Sequence, residues 1–201
     1  MLGVVLVEDQ IALTARASIK NKWACWRSIY PYTWAVWQKS SYQHFAEYVN
    51  ALEYSTVLDL GTGIGACIPL LRLKPSSRII FTDPDSIALA LAQAVPNASS
   101  QQFTFDVLDA KSAIEKYSTA THVSLLHVYS VLPDPLIFLE QCHRQVPQAM
   151  LLIYLSKFNG IPWLDFLSSA FGFAQIDRAL LEARFSKSSV GRSNLVFQGC
   201  A

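Results

Sequence analysis

The sequence has few charged residues and no excess of either sign. Charged residues make up 15% of the 201 positions, and 16 Lys and Arg against 15 Asp and Glu give a formal net charge of +1. Proteins that bind RNA or DNA usually carry a basic stripe and a high pI. The balance therefore disfavours a nucleic-acid partner, whereas a hydrophobic content of 52% is compatible with an apolar one.

Cysteine motifs, metal-ligand spacing and long apolar runs are missing too. Cys25, Cys67, Cys142 and Cys200 show no C-x-x-C spacing, so we expect free intracellular thiols. The four histidines lack zinc-ligand spacing, so no metal site is predicted. The sequence contains no run of 18 apolar residues, the length that could span a bilayer. The start M-L-G-V-V-L-V has no positively charged n-region before it. We therefore expect no signal peptide and a cytoplasmic protein.

Strand patterns alternate with helical patterns beyond residue 55. The strands are predicted at 56–60, 78–83, 102–106, 121–127 and 149–155. The helices are predicted near 64–73, 85–94, 111–116, 134–145 and 162–171. This order predicts a doubly wound α/β fold with a mostly parallel sheet and helices on both faces.

The two ends of the chain complete this organisation. Helical patterns over 8–30 and 40–52, separated by Pro31, predict an N-terminal helical lid over residues 1–54. A C-terminal antiparallel hairpin is predicted from residues 173–185, the polar turn that follows them and the closing segment L-V-F-Q-G-C-A. The whole is expected to be one domain, with its cofactor-binding core over 55–201.

Residues 57–65 read V-L-D-L-G-T-G-I-G, a strand that runs into a glycine-rich turn. Such glycines allow positive φ and close approach of the backbone to a ligand, and a helix starting near Ile64 would direct its free N–H groups there. G-T-G-I-G-A also fits the dinucleotide pattern G-x-G-x-x-A. Asp59 argues against that interpretation, because its carboxylate would repel a pyrophosphate and attract an ammonium group. The sequence therefore favours a ligand that carries a cation.

This segment resembles the first motif of class I S-adenosylmethionine-dependent methyltransferases, in which the turn holds the methionine part of the cofactor. The resemblance implies S-adenosylmethionine as cofactor and a seven-stranded sheet whose hairpin inserts its last strand between two others. The candidate cofactor residues of this motif are Asp59, Leu60, Gly61, Thr62, Gly63 and Gly65. A nicotinamide-dependent reductase or a non-catalytic nucleotide-binding module remains the alternative of another class.

Acidic residues end the second and third predicted strands. Asp83 follows R-I-I-F-T, 18 residues past Gly65, where the resemblance implies that it accepts from the ribose hydroxyls. Asp85 either takes that role or caps the next helix. In F-T-F-D-V the resemblance implies that Asp106 accepts from the adenine amino group while the backbone of Val107 meets the ring.

The fourth strand and its exit, T-H-V-S-L-L-H-V-Y-S-V-L-P-D-P, are similar to those of quinone-type and related small-molecule methyltransferases. Pro84 and Leu126 complete the predicted cofactor residues. His127 and Tyr129 leave the strand where an acceptor would meet the methyl group, so both are catalytic candidates. His127 is either a general base, because its reference pKa lies near neutrality, or a packed residue.

Three nearby residues are predicted to start helices. Asp109 is expected to cap the helix after the third strand, and L-P-D-P reads as a helix start with Asp134 as N-cap and Pro135 at the first helical position.

The sequence lacks an N/D-P-P-Y motif and a Pro-Cys nucleophile, so amino-group and cytosine-C5 methylation of those types are not indicated. We therefore expect a metal-free in-line displacement governed by positioning.

Aromatic residues are concentrated between positions 23 and 42, which hold four of the five tryptophans. They either pack the lid onto the sheet or contact an acceptor, and Trp37, Gln38 and Tyr42 are the substrate candidates. The expected acceptor is a small apolar or aromatic molecule. A phospholipid or quinone methylated at a membrane surface is the alternative, because Trp and basic residues suit an interfacial helix.

Overall fold

The protein was analysed as a computed structural model that describes residues 34–156, 176–192 and 194–201, with side chains from Gln38 onward. Trp37–Ala201 forms one compact unit. Met1–Val36 is a separate unit, of which only the start of a helix lies in the described ranges. The predicted helices at 8–30 and 162–171 lie outside them.

Helices and strands alternate along the main unit. The strands are β1 (Thr56–Leu60), β2 (Arg78–Thr82), β3 (Phe103–Asp106), β4 (His122–Leu126), β5 (Met150–Ser156), β6 (Ser186–Val190) and β7 (Asn194–Cys200). The helices are α1 (Trp34–Ala51), α2 (Ser86–Gln93), α3 (Ala110–Lys116), α4 (Pro135–Gln145) and α5 (Arg178–Arg184), with 3-10 turns at Ile68–Leu70 and Tyr129–Val131. The five predicted parallel strands are confirmed to within one residue at each end.

The seven strands form one sheet in the order β3-β2-β1-β4-β5-β7-β6. Strands β1 to β5 pair in parallel, and β7 runs antiparallel between β5 and β6. The predicted doubly wound sheet with an inserted C-terminal hairpin is confirmed. Because parallel strands of such a sheet share one carboxyl edge, the residues that follow β1, β2, β3 and β4 meet there.

Both faces of the sheet are covered, as the continuous apolar strands predict. One face packs against α3, α4 and α5 through a cluster that contains Leu58, Leu125 and Phe138. The other face packs against α1 and α2 through a cluster that contains Phe45 and Phe81. The second predicted lid helix, over 40–52, is therefore the part of α1 that forms core with the sheet.

Two predicted elements are wrong. The helix at 64–73 is a series of turns, in which Gly65, Ile68, Leu70 and Leu71 donate their amides three residues back. Pro69 cannot donate to Gly65, and the φ of +77° at Gly65 does not fit an α-helix.

No helix of the described segments is both long and apolar enough to cross a membrane.

The first arm of the predicted hairpin is also misplaced. Much of 173–185 is the helix α5, which Asp177 caps by accepting from the amide of Leu180 at 3.0 Å. The true first arm is β6, whose sequence S-K-S-S-V is polar and exposed up to Val190. A strand on the outer edge of a sheet needs no buried side chains, so β6 shows no apolar alternation.

Candidate cofactor site

The turn after β1 packs so closely against neighbouring side chains that glycine is required at two of its positions. Gly61 has a φ of +67° and Gly65 one of +77°. A Cβ on Gly61 would stand 2.5 Å from Cγ2 of Val128, and one on Gly65 would stand 2.6 Å from Cδ1 of Ile68. Both the backbone conformation and the close approach exclude a side chain. The turn is therefore held tightly against the loop that follows β4.

The amides of this turn are arranged differently from those of a helix N-terminus. The N–H of Thr62 donates to the carbonyl of Thr82 at 3.0 Å, and the N–H of Gly65 donates to the carbonyl of Thr62 at 3.2 Å. The expectation that helical N–H groups near Ile64 face the ligand is therefore wrong. The turn offers backbone that can approach a ligand, without the dipole of a following α-helix.

Asp59 lies at the base of the turn and is only 1% exposed. Its Oδ1 accepts from the hydroxyl of Ser124 at 2.6 Å, and its Oδ2 accepts from the hydroxyl of Thr62 at 2.8 Å. Burial raises the pKa of the carboxyl to about 6, and the two hydroxyls oppose that rise. Among the described residues, no cationic side chain forms a salt bridge with it. Asp59 is thus a buried carboxylate whose charge lacks a described counterion.

Asp83 follows β2 and binds the glycine turn. Its Oδ2 accepts from the amide of Gly63 at 2.8 Å, and its Oδ1 accepts from the amide of Asp85 at 2.8 Å. Burial raises the pKa of Asp83, which is 5% exposed. Because a carboxylate offers about four acceptor positions, each oxygen can still accept one more hydrogen bond.

The neighbouring acids cap helices, as predicted for Asp109 and Asp134 and as one of the two alternatives for Asp85. Asp85 accepts from the amides of Ile87 and Ala88 at the start of α2. Asp109 accepts from the amide of Ser112 at the start of α3, and Asp134 accepts from the amide of Ile137 at the start of α4. Asp85 is thus engaged at the start of α2, whereas Asp83 binds the glycine turn.

Asp106 ends β3 and is engaged by two donors from the far end of α3. Its Oδ2 accepts from Nζ of Lys116 at 2.5 Å and from the hydroxyl of Tyr117 at 2.9 Å. Hydrogen bonding to Lys116 lowers the pKa of Asp106, so the group is ionised at neutral pH. The next residue, Val107, is 51% exposed.

The two catalytic candidates lie in different surroundings. His127 has a φ of +63°, and its Nε2 lies 3.0 Å from the hydroxyl of Ser41 in α1. It is partly buried, and desolvation of its ring lowers the pKa to about 3. Tyr129 is 1% exposed and packs in the core on the face of the sheet that carries Leu58. His127 is thus near α1 and Tyr129 is within the core.

Neither a scan of protein-family models nor a search of curated proteins gives a match, but solved structures do match. A SAM-dependent methyltransferase from Aquifex aeolicus has a TM-score of 0.53 at 20% identity, over 78% of this chain and 87% of its own. The magnesium protoporphyrin IX methyltransferase of Synechocystis PCC 6803, with bound SAH, has a TM-score of 0.54 at 18% identity, over 80% and 81%. A methyltransferase from Geobacter sulfurreducens has a TM-score of 0.55 at 15% identity, over 82% and 80%. The chain has the class I methyltransferase fold.

In this class I methyltransferase fold, the predicted cofactor residues gather at the carboxyl edge. Three acids lie there, with Asp59 near the end of β1, Asp83 just after β2 and Asp106 at the end of β3. The side chains of Leu60 and Leu126 are buried in clusters on opposite faces of the sheet, so they offer backbone or a small apolar surface. Pro84 is exposed beside Asp83.

The substrate candidates belong to α1. The hydroxyl of Tyr42 donates to Oε1 of Gln38 at 2.7 Å, and both residues are at most 9% exposed. Tyr42 is also part of the apolar cluster under α1. The side chain of Trp37 lies outside the described residues. A role of these three in substrate binding stays a prediction.

Several residues of the site were not found from the sequence. Ser124 faces Asp59 because the two are paired in register across β1 and β4, and a lone serine inside the apolar run V-S-L-L was the signal for it. Ser41, Lys116 and Tyr117 carry no such signal, because each reaches its partner from a different element of the fold.

Proposed function

We propose that the protein is an S-adenosylmethionine-dependent methyltransferase that acts on a small apolar or aromatic molecule. One observation carries this proposal: Asp59 is a buried carboxylate at the base of a glycine turn, with two hydroxyl donors and no described cationic partner. A buried charge of this kind costs free energy unless an opposite charge meets it. An amino group of the ligand would supply that charge.

The residues at the carboxyl edge fit the rest of the cofactor. The remaining acceptor positions of Asp83 suit the two ribose hydroxyls, and Asp106 with the exposed Val107 suits an adenine ring. Gly61 has no side chain that could stand between its backbone and a ligand, and the close contact with Val128 requires glycine there. A bound cofactor would supply a methyl group on a sulfonium, which is already a good leaving group.

The contribution of the chain is then to hold the acceptor in line with that methyl group. Positioning of two reactants can supply roughly 7 to 11 kcal/mol of barrier reduction. A pKa of about 3 makes the imidazole of His127 a weak base at neutral pH. We therefore favour a role for His127 in holding α1 through Ser41. The buried hydroxyl of Tyr129 fits core packing better than proton transfer.

The nature of the acceptor is inferred from exposed apolar residues that follow the strands. Ile87 in the first turn of α2 is 57% exposed, and Leu136 and Ile137 in the first turn of α4 are 44% and 50% exposed. These three residues lie in the first turns of helices that follow β2 and β4, so they place apolar side chains near the carboxyl edge. An apolar acceptor would cover such groups, which supports a small molecule of this class.

Calorimetry with S-adenosylhomocysteine and with NADH tests the proposal. We expect the first to bind and the second not to bind. Asp59→Asn is expected to weaken the first interaction at least tenfold, whereas the matched change Asp109→Asn at a helix cap should leave it unchanged. Binding of NADH alone would contradict the proposal and favour a nicotinamide-dependent enzyme.

A further inference from the structure

Asp106 is held by a pair of side chains that the cofactor motifs do not include. It ends β3, which lies at one edge of the seven-stranded sheet. Lys116 and Tyr117 stand at the opposite end of α3, and both reach back to the carboxylate. The contact therefore ties the far end of α3 to the carboxyl edge of β3.

Both donors bind the same oxygen. Lys116 Nζ and the Tyr117 hydroxyl contact Oδ2, and neither contacts Oδ1. Two donors that approach one oxygen from different side chains restrict rotation of the carboxylate about its last torsion, which is otherwise broad. The backbone amide of Val107 also donates to this carboxylate. Because each carboxylate oxygen offers about two acceptor positions, Oδ1 still keeps at least one of them in a fixed orientation.

The two donors differ in mobility and charge. The ring of Tyr117 packs against the core cluster that contains Ala113 and Ile114, so its hydroxyl is placed by buried neighbours. The side chain of Lys116 is 55% exposed, whereas that of Asp106 is 25% exposed. Tyr117 supplies the position and Lys116 supplies a charge that keeps Asp106 ionised and unable to donate a proton.

We propose that Lys116 and Tyr117 are positioning residues that orient Asp106 so that Oδ1 accepts from the 6-amino group of an adenine ring. They thereby set the preference of the site for a 6-amino purine over a 6-oxo purine. This inference depends on the proposed function, since it assumes a nucleoside cofactor at the carboxyl edge. An ionised carboxylate in a fixed orientation accepts from an amino group but repels a carbonyl oxygen, and sites that bind through a specific hydrogen bond reject analogues that lack it.

Calorimetry with S-adenosylhomocysteine and S-inosylhomocysteine measures this preference as a ratio of affinities. We expect the wild type to bind the adenosyl compound at least about tenfold more tightly, as for a charge-assisted hydrogen bond. Tyr117→Phe and Lys116→Met should each lower the ratio about threefold or more, and the double variant should bring it near one. Lys111→Met, an exposed lysine of the same helix, should leave the ratio unchanged.

The ratio of affinities, taken together with melting temperatures, separates a changed orientation of the Asp106 carboxylate from a loss of the fold. Melting temperatures identify any unfolded variant, and Tyr117→Phe, which keeps the ring in the core, tests the inference if the double variant does not fold. The inference would be overturned by a double variant that folds and keeps the wild-type ratio. If the double variant does not fold, the same result in Tyr117→Phe would overturn it, and in either case the proposed function would stand. A wild type that binds neither compound would contradict the proposed function and the inference with it.

Discussion

The hydroxyl of Ser124 donates to Oδ1 of Asp59 across the β1–β4 pair, over 2.6 Å, and both residues are at most 1% exposed. The register of the sheet sets this contact, because Asp59 and Ser124 are opposite one another in the parallel ladder. Strand pairing thus fixes the position of the carboxylate at the centre of the proposed cofactor site.

Replacement of Asp59 by Asn is expected to stabilise the protein without ligand while impairing cofactor binding. The pKa of Asp59 is raised in the fold from 3.8 to about 6, which corresponds to about 3 kcal/mol. The folded state therefore binds a proton more tightly than the unfolded state, and stability falls as the pH rises from about 4 to about 6. Asp59→Asn should remove this fall and raise the free energy of unfolding at pH 7 by about 1 to 3 kcal/mol. Urea unfolding at pH 4 and pH 7 measures the effect, and a variant less stable than the wild type at pH 7 would contradict it.

Affinity for S-adenosylhomocysteine should fall in mildly acidic solution. The ionised form of Asp59 is the form that binds an amino group, and a pKa of about 6 leaves about one tenth of it ionised at pH 5. The apparent affinity at pH 5 is then expected to be roughly tenfold lower than at pH 8. Titrations from pH 5 to pH 8 test this, and a flat profile would show that Asp59 does not govern binding.

Removal of the Ser124 hydroxyl should move that profile to higher pH. The hydroxyl donates to the ionised carboxylate and so lowers the pKa of Asp59. Ser124→Ala is expected to raise the pKa, so the midpoint of binding shifts upward by roughly half a unit to one unit, equal to about 1 kcal/mol. Thr104→Ala, on the edge strand β3, is the control. A midpoint that stays in place or moves down would count against the contact.

Gly61→Ala is expected to destabilise the fold by about 2 to 4 kcal/mol, because it combines a φ of +67° with a clash against Val128. Val128→Ala removes the two methyl groups that stand 2.5 and 2.9 Å from the added Cβ. The double variant should therefore be less destabilised than the sum of the two single changes. Additive effects in denaturant unfolding would mean that backbone strain alone accounts for the loss.

His127→Asn tests whether the imidazole takes a proton. Asn tolerates the φ of +63° at this position, so the backbone is expected to be preserved. With positioning as the mechanism, His127→Asn and Ser41→Ala should each lower kcat less than about tenfold, since both remove the same hydrogen bond. A loss of about 100-fold or more in His127→Asn alone would instead identify a general base.

The sequence predicted what local patterns and buried strands determine. V-L-D-L and R-I-I-F-T are buried strands bounded by turn residues, and Asp85, Asp109 and Asp134 precede helices that they cap. In each case the residues that decide the structure are neighbours in sequence. The acids at the carboxyl edge followed, because strand ends and their order fix where they meet.

The missed features depend on contacts between different elements or on a backbone conformation that composition does not reveal. The polar strand β6 is stabilised by backbone pairing with β7 rather than by its own side chains, so S-K-S-S-V has no strand pattern. The turns after β1 look helical in composition, but Gly65 is held in a left-handed conformation against Ile68 and Ala92. Lys116 and Ser41 reach the site from other elements, and nothing near them in sequence reveals it.

The place of β7 between β5 and β6 also bears on synthesis of the chain. The five parallel strands are translated first, and β5 then presents its apolar edge, M-L-L-I-Y-L-S, until the ribosome has added residues 194–200. An unpaired apolar edge is a site where chains associate with one another. A growing polypeptide is therefore most prone to aggregation between translation of β5 and translation of β7, the interval in which a chaperone would matter most.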